Sequence, residues 1–279
     1  MLYLLLAIAS SALVSIIMRL SDRKVTGNIA MLTVNYLMCF LVAAGYAGFG
    51  KLFPSTEGLP GALAMGGING ALYLGGFVLL QINVRRNGVV LSSTFMKLGL
   101  LVSIAVSVLF FHEIPDLFQI IGFCLAVAAI MLINYKKEPG GTAGFKLGLV
   151  LMLMAGGMAD AMAKLFEELG NPALEPQFLA YTFLVALILC AALMWKKGQR
   201  PGKWELLFGL LIGIPNFFSA KFLLGALAQI PAVIVYPVYS VATILVVSLV
   251  GVLAFRERLN RRQWFAMGLI LTALVLLNI

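Results

Sequence analysis

Apolar residues run along this chain in long stretches that are separated by short polar connections. Each stretch has about the 20 residues that an α-helix needs to cross a hydrocarbon layer about 30 Å thick. Because the connections hold only a few residues, rich in Gly, Pro and charge, they leave no room for a soluble domain. The pattern therefore predicts an all-α membrane protein with ten transmembrane helices, at residues 1–20, 28–50, 61–83, 88–111, 116–135, 146–167, 173–195, 203–225, 231–254 and 261–279.

The composition agrees with this prediction, since 62% of the residues are hydrophobic and only 11% are charged. Soluble domains carry about 25% charged residues, so most of the surface of this chain must face lipid. The formal net charge of +9 could also indicate a nucleic-acid partner. The basic residues fall in alternate connections, however, which is the topological pattern of a membrane protein.

Sorting the charges by alternate connections gives one strongly basic side of the membrane. The other side has Lys51 as its only basic residue. Because basic connections stay in the cytoplasm, both termini are predicted to face outward, in a multi-pass protein of the plasma membrane such as a bacterial inner membrane. The sixteen basic residues on the cytoplasmic side are Arg19, Arg23, Lys24, Arg85, Arg86, Lys136, Lys137, Lys146, Lys196, Lys197, Arg200, Lys203, Arg256, Arg258, Arg261 and Arg262.

The second half of the chain repeats the first at an offset of 144 residues. The polar matches are the evidence for this repeat, because apolar matches are common between any two membrane helices. The predicted repeats cover residues 1–137 and 145–279, with five helices each. Since five is odd, the second repeat enters the membrane from the opposite side, and an inverted pair can alternate between inward-open and outward-open shapes. The polar matches are Glu113 with Glu257, Gln119 with Gln263 and Asn134 with Asn278.

A Phe-x-Glu motif closes the fourth helix of each repeat, as Phe111-His112-Glu113 and Phe255-Arg256-Glu257. Together with ten spans in two five-helix repeats, this motif resembles the drug/metabolite transporter (DMT) superfamily, EamA type. The resemblance covers the whole chain and implies a transporter whose cavity lies between helices 1, 3, 4, 6, 8 and 9. It implies no particular solute. We expect the two motif glutamates to cap or pair at helix ends.

Four ionisable residues fall inside the predicted spans: Lys97, Asp160, Lys164 and Lys221. A charge near the bilayer centre costs at least about 2.5–3.5 kcal/mol, so each is a candidate for solute binding or proton transfer. Lys97 lies near the middle of the fourth span, where it can bind a carboxylate or phosphate, exchange protons, or pair with Asp160. Asp160 and Lys164 are four residues apart and can form an intrahelical ion pair or recognise the solute. For Lys221, near the outer end of the eighth span, snorkelling is the alternative.

Neutral polar and aromatic residues complete the candidate set. Three lysines against one aspartate favour an anionic or zwitterionic solute, whereas a cation transporter would need excess carboxylate or an aromatic cage. The aromatic residues can equally serve packing between helices. The neutral lining candidates are Asn69, Tyr73, Ser93, Asn216, Tyr236 and Tyr239.

These observations predict a secondary transporter that moves a small polar metabolite (amino-acid-like, zwitterionic or a carboxylate) by alternating access. Proton-coupled export is one form of this mechanism, and a transporter of quaternary amines or drug-like cations is the alternative. An enzyme is not expected, because the sequence has no HExxH motif, paired Asp-rich motif or nucleophile–base set. No cofactor, metal or nucleic acid is expected. The expected partners are the solute, protons and the lipid bilayer, with the chain acting as a monomer or a homodimer.

Overall fold

The computed structural model of the chain describes residues 1–21, 24–87, 92, 95–134, 146–254 and 261–278. Within these residues the regular structure is helical and contains no strand. Short 3-10 turns lie at Phe49–Lys51 and Pro172–Leu174. The α-helices are α1 (Leu2–Ser21), α2 (Asn28–Ala47), α3 (Leu59–Asn87), α4 (Leu100–Phe111), α5 (Leu117–Asn134), α6 (Lys146–Leu169), α7 (Glu175–Lys196), α8 (Lys203–Leu227), α9 (Ala232–Leu253) and α10 (Arg261–Leu277).

The predicted all-α fold with ten helices is confirmed, and most helix boundaries agree closely with the apolar stretches. α3 is longer than the predicted 61–83 because its helix continues through the polar residues Arg85 and Arg86. The fourth span is predicted at 88–111, whereas the regular helix α4 begins at Leu100. Residues 95–97 are already helical, and Leu98 and Gly99 form a turn between them and α4. Residues 88–91, 93 and 94 lie outside the described part of the chain.

Seven of the described helices have the length and the hydropathy to cross a membrane. The stretches Phe95–Phe111 and Leu117–Leu132 are apolar but shorter. Large apolar side chains are exposed on these helices, among them Leu109, Phe110 and Ile188. Such exposure is unfavourable in water and favourable in lipid, and the protein is therefore a multi-pass membrane protein.

The chain divides into two compact units, and unit 1 comprises Met1–Leu74 and Met162–Ala228. In it, α2 packs against α7 and α8, and α1 packs against α8. Glycines permit close approaches between helices of this unit, of α3 to α7 and of α8 to α2. A Cβ added at Gly70 would lie 2.4 Å from the Thr182 carbonyl oxygen, and one added at Gly213 would lie 2.5 Å from the Met38 Cβ. These glycines therefore serve helix packing, as small residues commonly do in membranes.

Glu205 forms hydrogen bonds to the connection before α2 and to the connection before α8, both in unit 1. Its side chain is buried, and Oε1 accepts hydrogen bonds from the backbone N–H groups of Thr26 at 3.0 Å and Gly27 at 3.1 Å, just before α2 begins. Oε2 accepts a hydrogen bond from the backbone N–H of Gly202 at 3.1 Å, just before α8. Helix N-termini leave N–H groups unpaired and favour negative charge. One carboxylate thus stabilises the beginnings of two helices.

We expect Glu205→Gln to lower the free energy of unfolding by about 1–3 kcal/mol. The substitution keeps the volume, but it replaces one acceptor oxygen by an amide that points N–H donors at backbone N–H groups. Thermal unfolding in detergent micelles measures the effect. The matched control is Glu57→Gln, because the Glu57 side chain is exposed in the α2–α3 connection. Equal melting temperatures for the two variants would contradict the role given to Glu205.

Unit 2 comprises Gly75–Ala161 and Gln229–Ile279. In it, α5 packs against α10, and α9 contacts α4, α5 and α10. Each unit combines segments from both predicted repeats, so the units and the repeats divide the chain differently, and the repeats at 1–137 and 145–279 stay a prediction. The buried core of unit 2 consists of Leu100, Ala126, Ala129, Ile130, Val241, Ile270 and Ala273.

The Phe-x-Glu motif after α4 has a structural role in unit 2. Glu113 Oε2 accepts a hydrogen bond from the backbone N–H of Val233 at 3.2 Å, in the first turn of α9. His112 closes α4 in a left-handed conformation with φ of 54°. A carboxylate at a helix N-terminus is favourable for the unpaired N–H groups and for the helix dipole. The expectation that Glu113 caps a helix is thereby confirmed, while Glu257 lies outside the described residues.

Candidate functional site

Lys97 and Asp160 form the charged centre of unit 2. The Lys97 side chain is exposed, whereas Asp160, on α6, is half-buried. Their charges interact. The separation is longer than a direct ion pair, since the lysine–carboxylate contacts within 4.0 Å in the described part of the chain involve Lys164 and Lys221. A charged ammonium in a membrane span needs water, an opposite charge or a polar solute beside it, because hydrocarbon would cost several kcal/mol.

The backbones of α4 and α6 touch beside this pair. A Cβ added at Gly157 would lie 2.3 Å from the Gly99 carbonyl oxygen, and one added at Gly99 would lie 3.0 Å from the Gly157 nitrogen. Ser103 Oγ donates a hydrogen bond to the Gly157 carbonyl at 2.9 Å. Gly99 follows Lys97 by two residues and Gly157 precedes Asp160 by three. The glycine contact therefore sets the positions of both charged residues.

Two tyrosines of the candidate set lie on α9 in unit 2. Tyr236 is 1% exposed, and its hydroxyl donates a hydrogen bond to the backbone carbonyl of Asp160 at 2.7 Å. Tyr239 lies one turn further along α9 and is partly exposed. Tyr236 thus reaches the predicted site through the backbone of α6. The remaining candidate of this region, Ser93, lies outside the described residues.

Lys164 belongs to unit 1 and contacts a carboxylate that lies just beyond the predicted span 146–167. Its side chain is 3% exposed, and Nζ lies 2.5 Å from Glu168 Oε1, one turn further along α6. Asp160, four residues before Lys164, is the other partner that this spacing allows. Glu168 is in reach because α6 continues as a helix to Leu169. Asp160 lies in unit 2.

Lys221, on α8 in unit 1, contacts both a carboxylate and an aromatic ring. Nζ lies 3.6 Å from Glu175 Oε1 and 4.3 Å from the centre of the Tyr46 ring. Phe217 and Phe218 pack against that ring at centroid distances of 5.6 Å and 6.2 Å. A carboxylate with several aromatic rings is a favourable environment for an ammonium group, and here the group is the protein's own lysine.

Neutral polar side chains lie inside unit 1. Asn216 Nδ2 donates a hydrogen bond to Asn35 Oδ1 at 3.2 Å, between α8 and α2. Asn69, on α3, is 3% exposed, and its Oδ1 has no hydrogen-bond partner within the described residues. Tyr73 lies one turn from Asn69 and stacks on Phe183 at a centroid distance of 6.4 Å. A buried acceptor without a partner can take a hydrogen bond from a solute or from water.

The candidate residues therefore fall into two groups, one in each unit. Unit 2 holds Lys97, Asp160, Tyr236 and Tyr239, and unit 1 holds Asn69, Tyr73, Lys164, Asn216 and Lys221. Sequence reasoning missed the residues that complete both groups, because each is brought in from another helix or from a helix end. Within the described residues, no three His, Cys, Asp or Glu side chains lie together as a metal site would require. The residues that it missed are Asn35, Ser103, Glu168, Glu175 and Phe183.

Comparison with known proteins connects this geometry to a family. The model of the EamA-like transporter family matches residues 1–135 and 142–279. The chain belongs to the EamA-like transporter family. An uncharacterized protein of Haemophilus influenzae is 25% identical over 283 residues, which cover 97% of this chain and 95% of that protein. A crystal structure of another protein aligns with a TM-score of 0.75 at 14% identity, and the alignment covers 99% of this chain and 94% of that protein's chain. That likeness supports the fold alone.

As an EamA-like transporter, this chain is a membrane transporter of the DMT type, which confirms the family predicted from its motifs. Such a protein binds a small-molecule substrate within the bilayer. Ionisable residues at that depth are expensive and are usually kept for the transported solute or ion. The polar groups of the two units are therefore the basis for inferring which solute the EamA-like transporter carries.

Proposed function

We propose that this transporter moves a zwitterionic, amino-acid-like solute across the plasma membrane by alternating access. The observation that carries the proposal is the position of Lys97 and Asp160 in unit 2, two and three residues from the backbone contact between Gly99 and Gly157. A zwitterion has one ammonium and one carboxylate. Lys97 can bind the carboxylate and Asp160 can bind the ammonium, so each charge of the solute would meet its opposite.

The charge count of the interior now favours a zwitterion over a simple carboxylate. By sequence, the spans contain three lysines against one aspartate. In the structure, however, Lys164 forms an ion pair with Glu168, and Lys221 forms one with Glu175. The excess of positive charge is thereby reduced. The remaining pair, one lysine with one aspartate, is neutral as a whole and complements a solute that is also neutral as a whole.

The separation of Lys97 and Asp160 also supports a bridging solute. Two opposite charges in direct contact would satisfy each other, and a solute would have to break that contact in order to bind. These two groups are not within 4.0 Å of each other, so a small solute can bind between them.

Two features support alternating access and coupling to protons. The segments matched by the family model, 1–135 and 142–279, are close to the two proposed inverted repeats, and such repeats can exchange inward-open and outward-open shapes. Asp160 can also accept a proton in place of the solute ammonium, which would couple export of the solute to proton entry. The protein is then a carrier without catalytic chemistry.

One observation favours a second candidate, a transporter of quaternary amines. The ammonium of Lys221 lies against the Tyr46 ring and the Glu175 carboxylate in unit 1. A quaternary ammonium is bound by the same chemistry, aromatic faces with a nearby negative charge. In this alternative the solute replaces the Lys221 ammonium, and the Lys97–Asp160 pair is structural.

Uptake into proteoliposomes distinguishes the candidates. The probes are labelled amino acids, their decarboxylated amines, the acids that lack the amino group, and quaternary amines, each with and without a pH gradient. We expect at least one amino acid to be transported. The uptake rates of its amine and acid analogues should be lower by a factor of about ten or more, since each analogue lacks one charge-assisted contact. Transport of quaternary amines alone would refute the zwitterion proposal in favour of the second candidate.

A further inference from the structure

We propose that Ser103 and Tyr236 are positioning residues: together they hold the backbone of α6 so that the Asp160 carboxylate stays opposite Lys97. Neither residue is proposed to contact the solute. The functional meaning of this arrangement rests on the proposed role of the Lys97–Asp160 pair, but the arrangement itself can be tested without a solute.

Ser103 provides the first of two attachments to α6. It is fully buried on α4, and its hydroxyl donates to the Gly157 carbonyl at 2.9 Å, where the two helices are in backbone contact. Ser107, one turn further along α4, is equally buried, but its hydroxyl has no hydrogen-bond partner within the described residues. The bond is therefore a property of position 103 and not of buried serines on α4 in general.

Tyr236 provides the second attachment, from a different helix. Its hydroxyl donates to the carbonyl of Asp160 itself at 2.7 Å, and its ring is almost fully buried. A carbonyl oxygen has two lone pairs, so it can accept this bond in addition to the bond within α6. A buried ring fixed in this way acts on the site through the aspartate backbone.

The two attachments lie on one face of α6. Gly157 and Asp160 are three residues apart, and residues at this spacing are neighbours on a helix surface. Bonds from α4 and α9 to neighbouring carbonyls oppose both rotation and sliding of α6. Since the Asp160 carboxylate is attached to the same backbone, loss of either bond allows it to move away from Lys97.

The test uses Ser103→Ala and Tyr236→Phe, each of which removes one hydroxyl. The controls are Ser107→Ala, which removes an unpaired buried hydroxyl from the same helix, and Tyr181→Phe, which removes a hydroxyl bonded to the Leu52 carbonyl in unit 1. The readout is the rate at which an amine-reactive reagent modifies Lys97 in the folded, purified protein, measured by peptide mass spectrometry. Asp160→Asn provides the rate for a fully broken pair.

We expect the reagent to modify Lys97 about two- to tenfold faster in Ser103→Ala and in Tyr236→Phe than in the wild type. This factor corresponds to one lost neutral hydrogen bond. An ammonium held beside a carboxylate is less available to the reagent, and displacement of Asp160 removes this protection. The two controls should react at the wild-type rate. In proteoliposomes, the same two variants should raise the KM for the zwitterion by a similar factor and change the maximal rate less.

The outcomes separate this inference from the proposed function. Modification of Lys97 at control rates in both Ser103→Ala and Tyr236→Phe would overturn the inference, even if a zwitterion is transported. Faster modification with no zwitterion transport by the wild type would support the positioning role and refute the proposed function. Because Tyr181→Phe loses an equivalent hydrogen bond elsewhere, a rate increase in that variant as well would indicate general loosening and would also overturn the inference.

Discussion

Lys97→Met is expected to lower the uptake of the zwitterionic solute by about 100-fold or more. The substitution removes the cation proposed to bind the solute carboxylate, and it leaves Asp160 in the membrane without its opposing charge. A charge left without compensation in a membrane span costs about 2.5–3.5 kcal/mol, which corresponds to a factor of this size. Initial uptake rates in proteoliposomes, normalised to the amount of protein incorporated, measure the effect.

Two further variants make this result specific. Lys51→Met removes a lysine whose side chain is exposed in the α2–α3 connection, and it should transport at the wild-type rate. Adding Asp160→Asn to Lys97→Met should raise the melting temperature above that of Lys97→Met alone, because it removes the uncompensated charge, while uptake stays low. Uptake by Lys97→Met within threefold of wild type would refute the role of Lys97 in solute binding.

The helices were predictable because the membrane restricts the options. Backbone groups in hydrocarbon must be paired within the same segment, so an apolar stretch of sufficient length has to be a helix. α2, predicted at 28–50, is observed at Asn28–Ala47. The agreement is poorer where the helix continues into polar residues, as α3 does to Asn87, because the apolar pattern marks the part inside the lipid and not the whole helix.

The ionisable residues were predictable as individual candidates, whereas their partners were not. Lys164 has a carboxylate at four residues on each side, Asp160 and Glu168, and helix geometry allows both pairs and slightly favours the N-terminal acid, Asp160. The choice of Glu168 depends on packing that no local pattern contains. Asn35 could not have been found from the sequence for a different reason, since its partner Asn216 is 181 residues away and only the packing of α8 on α2 brings them together.

The contact between Gly99 and Gly157, which positions Lys97 and Asp160, could not be predicted from the sequence for a third reason. Gly156 and Gly157 are adjacent and identical in type, so no propensity or periodicity distinguishes them. In the structure, a Cβ added at Gly157 would lie 2.3 Å from the Gly99 carbonyl oxygen and 2.5 Å from the Val102 Cβ, whereas one added at Gly156 would have nothing within 4 Å. The same chemical change at neighbouring positions should therefore have opposite effects.

Gly157→Ala is expected to lower the free energy of unfolding by about 3 kcal/mol or more, because the obstructing atoms are the Gly99 backbone and the Val102 Cβ, which cannot move aside as the end of a flexible side chain does. It should also separate α4 from α6 at the level of Asp160 and lose most of the transport activity. Gly156→Ala should instead stabilise α6 by about 0.5–1 kcal/mol, since alanine is the better helix former.

Gly99→Ala provides an intermediate case, since its added Cβ would lie 3.0 Å from the Gly157 nitrogen. Melting temperatures in detergent micelles should therefore rank Gly156→Ala highest, Gly99→Ala in the middle and Gly157→Ala lowest. This order follows from the contact distances alone and is independent of which solute is carried. If Gly157→Ala melts together with Gly156→Ala, α4 and α6 are not in backbone contact, and the fixed arrangement of Lys97 and Asp160 loses its structural basis.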